Sequence, residues 1–332
     1  MRGPRLAGLL ATLLAAACGS STEPPPGPPT EAELAFTMDS STYLISTAEG
    51  ATPSLLVRGM IQGSWRPDGV EIAVVATGEP HGGVGGFPPD QALYTMNPLS
   101  SGGPFAISVF DWSIVGSPIW EPDGSTILYM RAKILPSVAW IERVTVAGAL
   151  ETGYSTSYGV PPSWSHDGRL VATCCTRGFN LLDPGTADTV RTMEGSFPQF
   201  SPVNDDIAFH EPVTGHVRLI RADSTGERDL MVDGYPRVWS PDGRRLAFDG
   251  TDGLYTINAD GSGLLRIGPP NVVVSDFAWS ADSKRIAYVT HTGSGPHTVY
   301  MALADDTERR PVVSAAELCC LSWRPPVAAG SP

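Results

Sequence analysis

The sequence lacks several features that identify common functional classes of protein. It has no run rich in lysine or arginine, and its formal net charge is −13 over 332 residues. An acidic chain of this kind is not expected to bind nucleic acid or to adhere electrostatically to anionic lipid. The spacings of a serine-hydrolase elbow, a phosphate-binding loop and an HExxH metal site are also absent. We therefore expect no cofactor and no bound metal.

Long apolar runs are missing too, except at the start of the chain. Two arginines in the first five residues precede an uncharged apolar run over residues 6–17, which is shorter than a membrane-spanning helix requires. Small residues then lead to Cys18, an arrangement that resembles the lipobox of bacterial lipoproteins, although Ala15 stands where that motif usually has leucine. The prediction is a signal peptide over residues 1–17 and a lipid on Cys18. The alternative is an ordinary secretory signal with an incidental cysteine.

Residues 18–32 are small, polar and rich in proline, which predicts an extended tether. A single folded domain is predicted over residues 33–326, with a disordered tail at 327–332. Removal of residues 1–17 takes away Arg2 and Arg5, so the net charge of the mature chain becomes −13 − 2 = −15. The membrane is expected to contact the protein only through the N-terminal lipid.

A motif of one aromatic residue and a Pro-Asp-Gly turn repeats along the folded part. Its clearest copy is VWSPDG at residues 238–243, followed by short apolar runs separated by Asp-Gly turns. The aromatic markers stand at Trp65, Trp120, Trp164, Phe200, Trp239, Trp279 and Trp323. A period near forty residues with four strands per unit is typical of β-propeller blades.

These copies resemble the TolB-like propeller family, whose repeats carry the same Trp-Ser-Pro-Asp-Gly turn, and the resemblance covers residues 33–326. The marker count predicts an all-β propeller of seven four-stranded blades. Three N-terminal strands and one C-terminal strand are expected to form one blade and so close the ring. The resemblance implies six blades, which would require one copy to form none; the worn copy around Phe200 is the candidate.

Six aspartates recur at the motif turn: Asp68, Asp123, Asp167, Asp205, Asp242 and Asp282. A carboxylate at a tight turn accepts hydrogen bonds from nearby backbone N–H groups. Since a catalytic residue is needed once per active site, a residue repeated in six blades is interpreted as structural. No catalytic residue is assigned.

The longest insertion, residues 78–90, is rich in glycine and proline and connects two strands of the second blade. Long loops on rigid scaffolds often carry binding, so His81, Phe87 and Asp90 are predicted to form a contact surface. His210 ends the second strand of its blade and could line the mouth of the channel.

Four cysteines remain after Cys18, as the adjacent pairs Cys174-Cys175 and Cys319-Cys320. Neighbouring strand residues point to opposite faces, so a bridge within either pair would require a distorted backbone. Buried free thiols are the expectation for all four, with disulfides as the alternative.

The leading functional hypothesis is a monomeric interaction module on the periplasmic face of the outer membrane, with a protein or peptide of the envelope as its partner. The family resemblance implies function through protein contacts in the periplasm. Two alternatives stay open because the fold does not fix the function. One is a lyase or glycan hydrolase with its active site at the channel mouth, and the other is binding of a small molecule or glycan.

Overall fold

A computed structural model of the protein describes residues 33–76, 91–98, 100, 103–110, 113–114, 118–133, 138–156, 161–175, 178–293 and 295–327. Within these ranges the regular structure consists of β-strands, and no helix is long and apolar enough to cross a membrane. In chain order the strands are β1 (Glu33–Met38), β2 (Ser41–Ser46), β3 (Ser54–Arg58), β4 (Met60–Trp65), β5 (Ile72–Ala76), β6 (Gln91–Met96), β7 (Phe105–Phe110), β8 (Ser113–Ile114), β9 (Ile119–Trp120), β10 (Thr126–Lys133), β11 (Val138–Thr145), β12 (Leu150–Thr156), β13 (Ser163–Trp164), β14 (Val171–Cys175), β15 (Gly178–Leu182), β16 (Thr189–Met193), β17 (Ser196–Phe200), β18 (Asp206–His210), β19 (His216–Arg221), β20 (Arg228–Asp233), β21 (Tyr235–Trp239), β22 (Arg245–Gly250), β23 (Gly253–Asn258), β24 (Leu265–Arg266), β25 (Val273–Trp279), β26 (Arg285–His291), β27 (His297–Leu303), β28 (Arg310–Ala315) and β29 (Leu318–Trp323).

The strands form seven antiparallel sheets, which are the blades of a propeller. From the innermost strand outward, the first blade has the order β29-β1-β2-β3, and five of the others run in simple chain order, four strands each. In the third blade the innermost position is divided between β8 and β9, which both pair with β10. The predicted count of seven is confirmed. The worn copy around Phe200 forms the complete blade β17-β18-β19-β20, so the six-blade alternative is wrong.

The ring is closed by the two ends of the folded chain, as the strand count predicts. β1 pairs with β29, with Leu34 opposite Trp323 and Met38 opposite Leu318. Beyond β29, Nε of Arg324 donates to the carbonyl of Gly69 in the second blade, at 2.7 Å. Pairing the terminal strands removes the open edge that a propeller would otherwise present.

Apolar side chains of each blade pack against the next blade, which explains the alternating pattern of the strands. In one such cluster Val217 and Leu219 of the fifth blade contact Trp239, Leu246 and Phe248 of the sixth. The marker Trp ends the innermost strand and reaches across to the preceding blade. Indole Nε1 donates to the carbonyl of the residue before the preceding marker in three cases: Trp120 to Ser64, Trp239 to Gln199 and Trp323 to Ala278.

The strand order gives the disc two distinct faces. The motif face carries the turns that follow each marker, residues 66–71, 121–125, 165–170, 201–205, 240–244 and 280–284, together with the connections from third to fourth strand. The mouth face carries the connections from second to third strand and the starts of the innermost strands. Because β1 begins beside the end of β29, the folded chain starts at the motif face.

Candidate functional site

The motif turns on one face of the disc satisfy their polar groups internally. The carboxylate Oδ1 of five motif aspartates accepts a backbone N–H from two residues further on, at 2.8 to 3.1 Å: Asp68, Asp123, Asp167, Asp242 and Asp282. The preceding serine donates to the same oxygen in three blades, from Ser165, Ser240 and Ser280. Gly243, at the same turn, has φ +67°, the left-handed conformation that glycine adopts without steric cost.

These contacts stabilise the ionised carboxylates. For Asp167 partial burial acts to raise the pKa, but hydrogen bonds from the Arg169 N–H and the Ser165 hydroxyl outweigh it and hold the pKa at about 2. Burial is likewise outweighed at Asp242, where the Ser240 hydroxyl and the Arg244 N–H lower the pKa. The aspartates of this face therefore have their partners already in place.

In the fifth blade the motif turn differs from the sequence-based assignment to Asp205. There the side chain of Asn204 accepts the N–H of Asp206 at 2.9 Å, and the carboxylate of Asp205 is exposed and lies 3.5 Å from His166 Nδ1. The worn copy lacks the Pro-Asp-Gly order of the others, and Val203 stands two residues after Ser201 where the other turns have aspartate. The shift by one residue passes the turn-forming role to Asn204.

The predicted contact residues His81, Phe87 and Asp90 lie outside the described part of the chain. The strands that flank their segment are described, however. β5 ends at Ala76 and β6 begins at Gln91, both at the mouth face. The insertion therefore connects two strands on the face that also bears His210.

A break in strand pairing occurs at the mouth end of five innermost strands. The pairing register shifts in β4, β17, β21, β25 and β29, each time within the first half of the strand. Such bulges interrupt the strict alternation of side chains and re-aim them. Arg237, Phe197 and Cys320 lie at these breaks, so blade-specific side chains are presented near the channel.

One cavity of about 440 Å³ opens near these breaks, and its lining residues come from the fourth, fifth, sixth and seventh blades. Aromatic and proline rings form its walls, including Phe197, Tyr235 and Phe277. The Tyr235 ring lies 5.0 Å from that of Phe197 and 4.2 Å from that of His210, between centroids, and 45% of Tyr235 remains exposed. Nδ1 of His210 lies 2.9 Å from the carbonyl of Gly234, which fixes the imidazole against the tyrosine.

Three charged side chains enter the same cavity: Arg237, Asp249 and Asp276. Nη2 of Arg237 donates to the carbonyl of Ser275 at 2.8 Å, and its Nη1 lies 3.4 Å from Oδ1 of Asp249. Asp276 accepts the N–H of Phe277 at 2.8 Å and, from the next blade, the N–H of Leu321 at 2.9 Å.

The electrostatics of these two carboxyls are opposite to those of the motif face. Burial raises the pKa of Asp276, and its backbone donors and the charge of Arg237 offset this only in part. Burial also raises the pKa of Asp249, against the lowering effect of Arg237. A raised pKa means that the surroundings of each group do not fully compensate its negative charge. Perturbed carboxyls in a concave, aromatic site are typical of functional positions.

A second cavity of about 550 Å³ opens on the mouth face beside the closing strand, lined among others by Asp39, His297, Glu317 and Cys319. Here the structure corrects the expectation of free thiols, because Cys319 and Cys320 form a disulfide. Alternation along the strand fails at this point, since the pairing of β1 with β29 shifts register and Cys320 has φ +65°. Cys174 is buried, with Sγ 3.9 Å from the carbonyl oxygen of Gly178, and the side chain of Cys175 is outside the described part, so the expectation for this pair stays a prediction.

Among the described residues no three metal-binding side chains form a group that could hold an ion. The loop at 258–263, which has a superficial likeness to a calcium loop, directs its polar groups inward. Asp260 accepts the N–H and the hydroxyl of Ser262 at 2.9 and 2.6 Å, so the turn itself uses this carboxylate.

Sequence reasoning singled out His210, which packs against Tyr235, but it missed the aromatic and charged residues that line the cavity, because these do not repeat from blade to blade. A signal was nevertheless present. Aligned on the aromatic marker, Phe197, Asp276 and Cys320 all stand three residues before it, and Tyr235 and Arg237 stand four and two before it. Positions just before the marker vary between copies, whereas positions after it repeat.

Comparison with solved structures identifies other propellers. TolB from Acinetobacter baumannii superposes with a TM-score of 0.57 at 14% identity, over 89% of this chain and 67% of that one. The β-propeller domain of the Trilobed protease from Pyrococcus furiosus gives 0.61 at 10% identity, over 86% and 95%. A chain of the mitotic checkpoint complex gives 0.54 at 14% identity, over 78% and 82%. The Pyrococcus domain is described as having an open velcro topology, whereas β1 and β29 close the ring here.

No family model matches the chain, and no curated protein matches it in sequence. At identities of 10 to 14% the structural likeness establishes the propeller fold, including its likeness to TolB, and assigns no activity.

Proposed function

We propose that this protein is a binding module of the bacterial cell envelope that docks a protein or peptide partner on its mouth face. One observation carries the proposal: unrepeated aromatic and charged side chains converge on this face, at the breaks in β17, β21 and β25. The insertion with His81, Phe87 and Asp90 connects strands on the same face. Propellers described in complexes, such as the chain of the mitotic checkpoint complex, support a role in protein contacts.

The orientation of the disc supports the same proposal. The folded chain begins at Glu33 on the motif face, so a tether over residues 18–32 leaves from that side. Fifteen residues in an extended, proline-rich conformation span roughly 45 Å. A lipid on Cys18 would therefore hold the motif face toward the membrane and the mouth face away from it, open to partners. Replacement of Cys18 by serine, followed by fractionation of the envelope, tests the anchor separately.

The docking face is tested with two matched valines of the fifth blade. Val213 lies at the mouth face and is 89% exposed, and Val203 lies at the motif face and is 49% exposed. A photo-crosslinking amino acid is placed at each position in intact envelopes. We expect one defined adduct from position 213, none from position 203, and loss of the adduct when residues 79–89 are deleted. Equal adducts from both faces, or an adduct from position 203 alone, would contradict the proposal.

A second candidate, an enzyme acting on glycans, is favoured by the two carboxyls of raised pKa in an aromatic cavity. A carboxyl whose pKa is raised by burial can serve as a general acid. Incubation with cell-wall glycans and reducing-end analysis tests it. Turnover by the wild type that is lost in Asp249→Asn would favour the enzyme over the module.

A further inference from the structure

We propose that the mouth cavity binds a basic side chain, lysine or arginine, of the docked partner, between the ring of Tyr235 and the carboxylates of Asp249 and Asp276. This inference rests on the proposed function and specifies the chemistry that the mouth face recognises. It is argued from the charges in the cavity, from the partners these charges already have, and from the aromatic walls.

The charges of the cavity do not balance. Two carboxyls and one guanidinium enter it, which leaves one negative charge in excess when both carboxyls are ionised. Nη2 of the guanidinium donates to the carbonyl of Ser275. Nη1 is buried without a hydrogen-bond partner and lies 3.4 Å from the carboxylate of Asp249, so the positive charge of Arg237 is shared with that carboxylate. Asp276 forms no ion pair within 4.0 Å in the described part of the chain, and the positive charge of Arg237 lowers its pKa only in part against burial.

A carboxylate that leaves water without a cationic partner destabilises the protein until it is protonated or paired. Burial raises the pKa of Asp276 in this structure, and its backbone donors and the charge of Arg237 offset this only in part. The aspartates of the motif face show the alternative outcome, since local donors satisfy them and their pKa values are lowered. The group that the mouth cavity lacks is thus a positive one.

The walls fit the same kind of group. Phe197 and Tyr235 meet edge to face, and the tyrosine remains partly exposed toward the cavity. Aromatic faces attract ammonium and guanidinium groups, and prolines and rings accommodate the apolar stem of a long basic side chain. Tyr235 and Asp249 are directly opposed across β21 and β22, which places ring and carboxyl side by side.

An anionic ligand is the contrary possibility, since Arg237 also enters the cavity. Its guanidinium already contacts a carboxylate and a carbonyl, and two carboxyls would repel an anion. Arg237 is better described as the internal competitor of the incoming cation for Asp249. Removing it should therefore strengthen the binding of a basic side chain and would abolish the binding of an acidic one.

The test uses the full mature chain in detergent micelles and three blocked tripeptides as probes: acetyl-Gly-Lys-Gly-amide and its norleucine and glutamate counterparts. Titration calorimetry measures binding to the wild type and to Asp249→Asn, Tyr235→Leu, Arg237→Gln and, on the motif face, Asp242→Asn. Thermal denaturation of each variant establishes that it is folded.

We expect the lysine peptide to bind and the other two not to bind. Because a charge-assisted contact is lost, Asp249→Asn should weaken binding at least tenfold, and Tyr235→Leu severalfold. Arg237→Gln should tighten binding severalfold, and Asp242→Asn should leave it unchanged. Equal binding of the lysine and norleucine peptides, preference for glutamate, or no detectable binding of the lysine peptide at concentrations up to roughly 10 mM would overturn the inference.

The result of the peptide titration can be separated from the result of the crosslinking test of docking. If the lysine peptide fails while position 213 still crosslinks one partner, the basic-side-chain inference falls and the mouth-face module stands. If the peptide binds as expected but no adduct forms, the cavity is a site for basic groups whose partner is not a docked protein.

Discussion

The two faces of the disc are built from the same strands but from different kinds of residue. On the motif face the same serine and aspartate recur from blade to blade and bond to their own turns. On the mouth face Arg237, Asp249 and Asp276 each occur once. Arg237 and Asp276 bond to the next blade, and Asp249 lies beside Arg237 within its own blade. Residues that a repeat fold needs for itself repeat with it, whereas residues that serve a partner do not have to. The motif face should therefore govern stability, and the mouth face should govern binding.

The largest loss of stability is expected when a marker tryptophan is replaced. Replacing Trp239 with alanine removes a buried ring from the cluster between the fifth and sixth blades and its bond to Gln199. We expect the free energy of unfolding to fall by about 3–5 kcal/mol, as for other large-to-small core substitutions. Urea denaturation followed by circular dichroism measures it.

A control for this prediction is Tyr235→Leu, four residues earlier in the same strand and at the mouth. Tyr235 is 45% exposed, so its replacement should cost less than about 1 kcal/mol while weakening the binding of a basic probe. Equal losses of stability at the two positions would remove the distinction between the faces.

An intermediate effect is expected from a matched pair of aspartates in the sixth blade, Asp242 and Asp249. Asp242→Ala removes the acceptor of the Ser240 hydroxyl and the Arg244 N–H and should cost about 1 kcal/mol. Asp249→Asn loses only a contact of 3.4 Å with Arg237 and should leave stability unchanged within about 0.5 kcal/mol. The denaturant midpoints of the two variants at pH 7 measure these changes. A greater loss of stability in Asp249→Asn than in Asp242→Ala would contradict the prediction.

The contrast between repeated residues on the motif face and unrepeated residues on the mouth face also explains which features could be predicted from the sequence. The marker and turn recur often enough that blade number, ring closure and the turn aspartates follow from counting copies. At Asp205 the prediction failed because one copy lacks Pro-Asp-Gly and the turn shifts to Asn204. The variable positions before each marker are visible in the sequence, but the cavity itself could not be predicted, because only the bulges, such as those at Arg237 and Phe197, decide which of these side chains face one another.

The cysteine pair at residues 319 and 320 is a second feature that could not be predicted from the regular strand pattern. Alternation along a strand argued against a bridge between adjacent residues, and that argument holds where the ladder is regular. At Cys319 and Cys320 the ladder is broken, so the premise does not apply.

A smaller effect on stability is expected from this disulfide. The loop it closes is minimal, so the constraint it places on the unfolded chain contributes only about 1 kcal/mol. The double variant Cys319→Ser and Cys320→Ser should lose about that amount in urea denaturation. Alkylation without denaturant, followed by mass spectrometry of the peptide containing both residues, should detect two modified thiols after reduction and none before. Labelling before reduction would show that the thiols are free.

The smallest effects are in the pH dependence of stability, and there the two faces should differ in sign. The pKa of Asp167 is held at about 2, below its unfolded value of 3.8, because the hydrogen bonds from Arg169 and Ser165 outweigh burial. Its contribution to stability is therefore complete above pH 3.8 and is lost as the pH falls toward 2. Asp167→Asn should lower the melting temperature at pH 7, and the difference from the wild type should shrink in acid.

Burial raises the pKa of Asp249, so the sign is the opposite. The ionised carboxyl is less favourable in the folded than in the unfolded chain at pH values above its raised pKa, and this cost disappears as the pH falls below 3.8. Asp249→Asn should therefore melt at or slightly above the wild-type temperature at pH 7 and converge on it in acid. Melting curves of the three proteins between pH 7 and about pH 2 measure the two trends. If the two variants deviate from the wild type in the same direction, the carboxyls of the two faces do not differ in the way the cavity requires, and Asp249 has a satisfied partner that leaves no place for a cation.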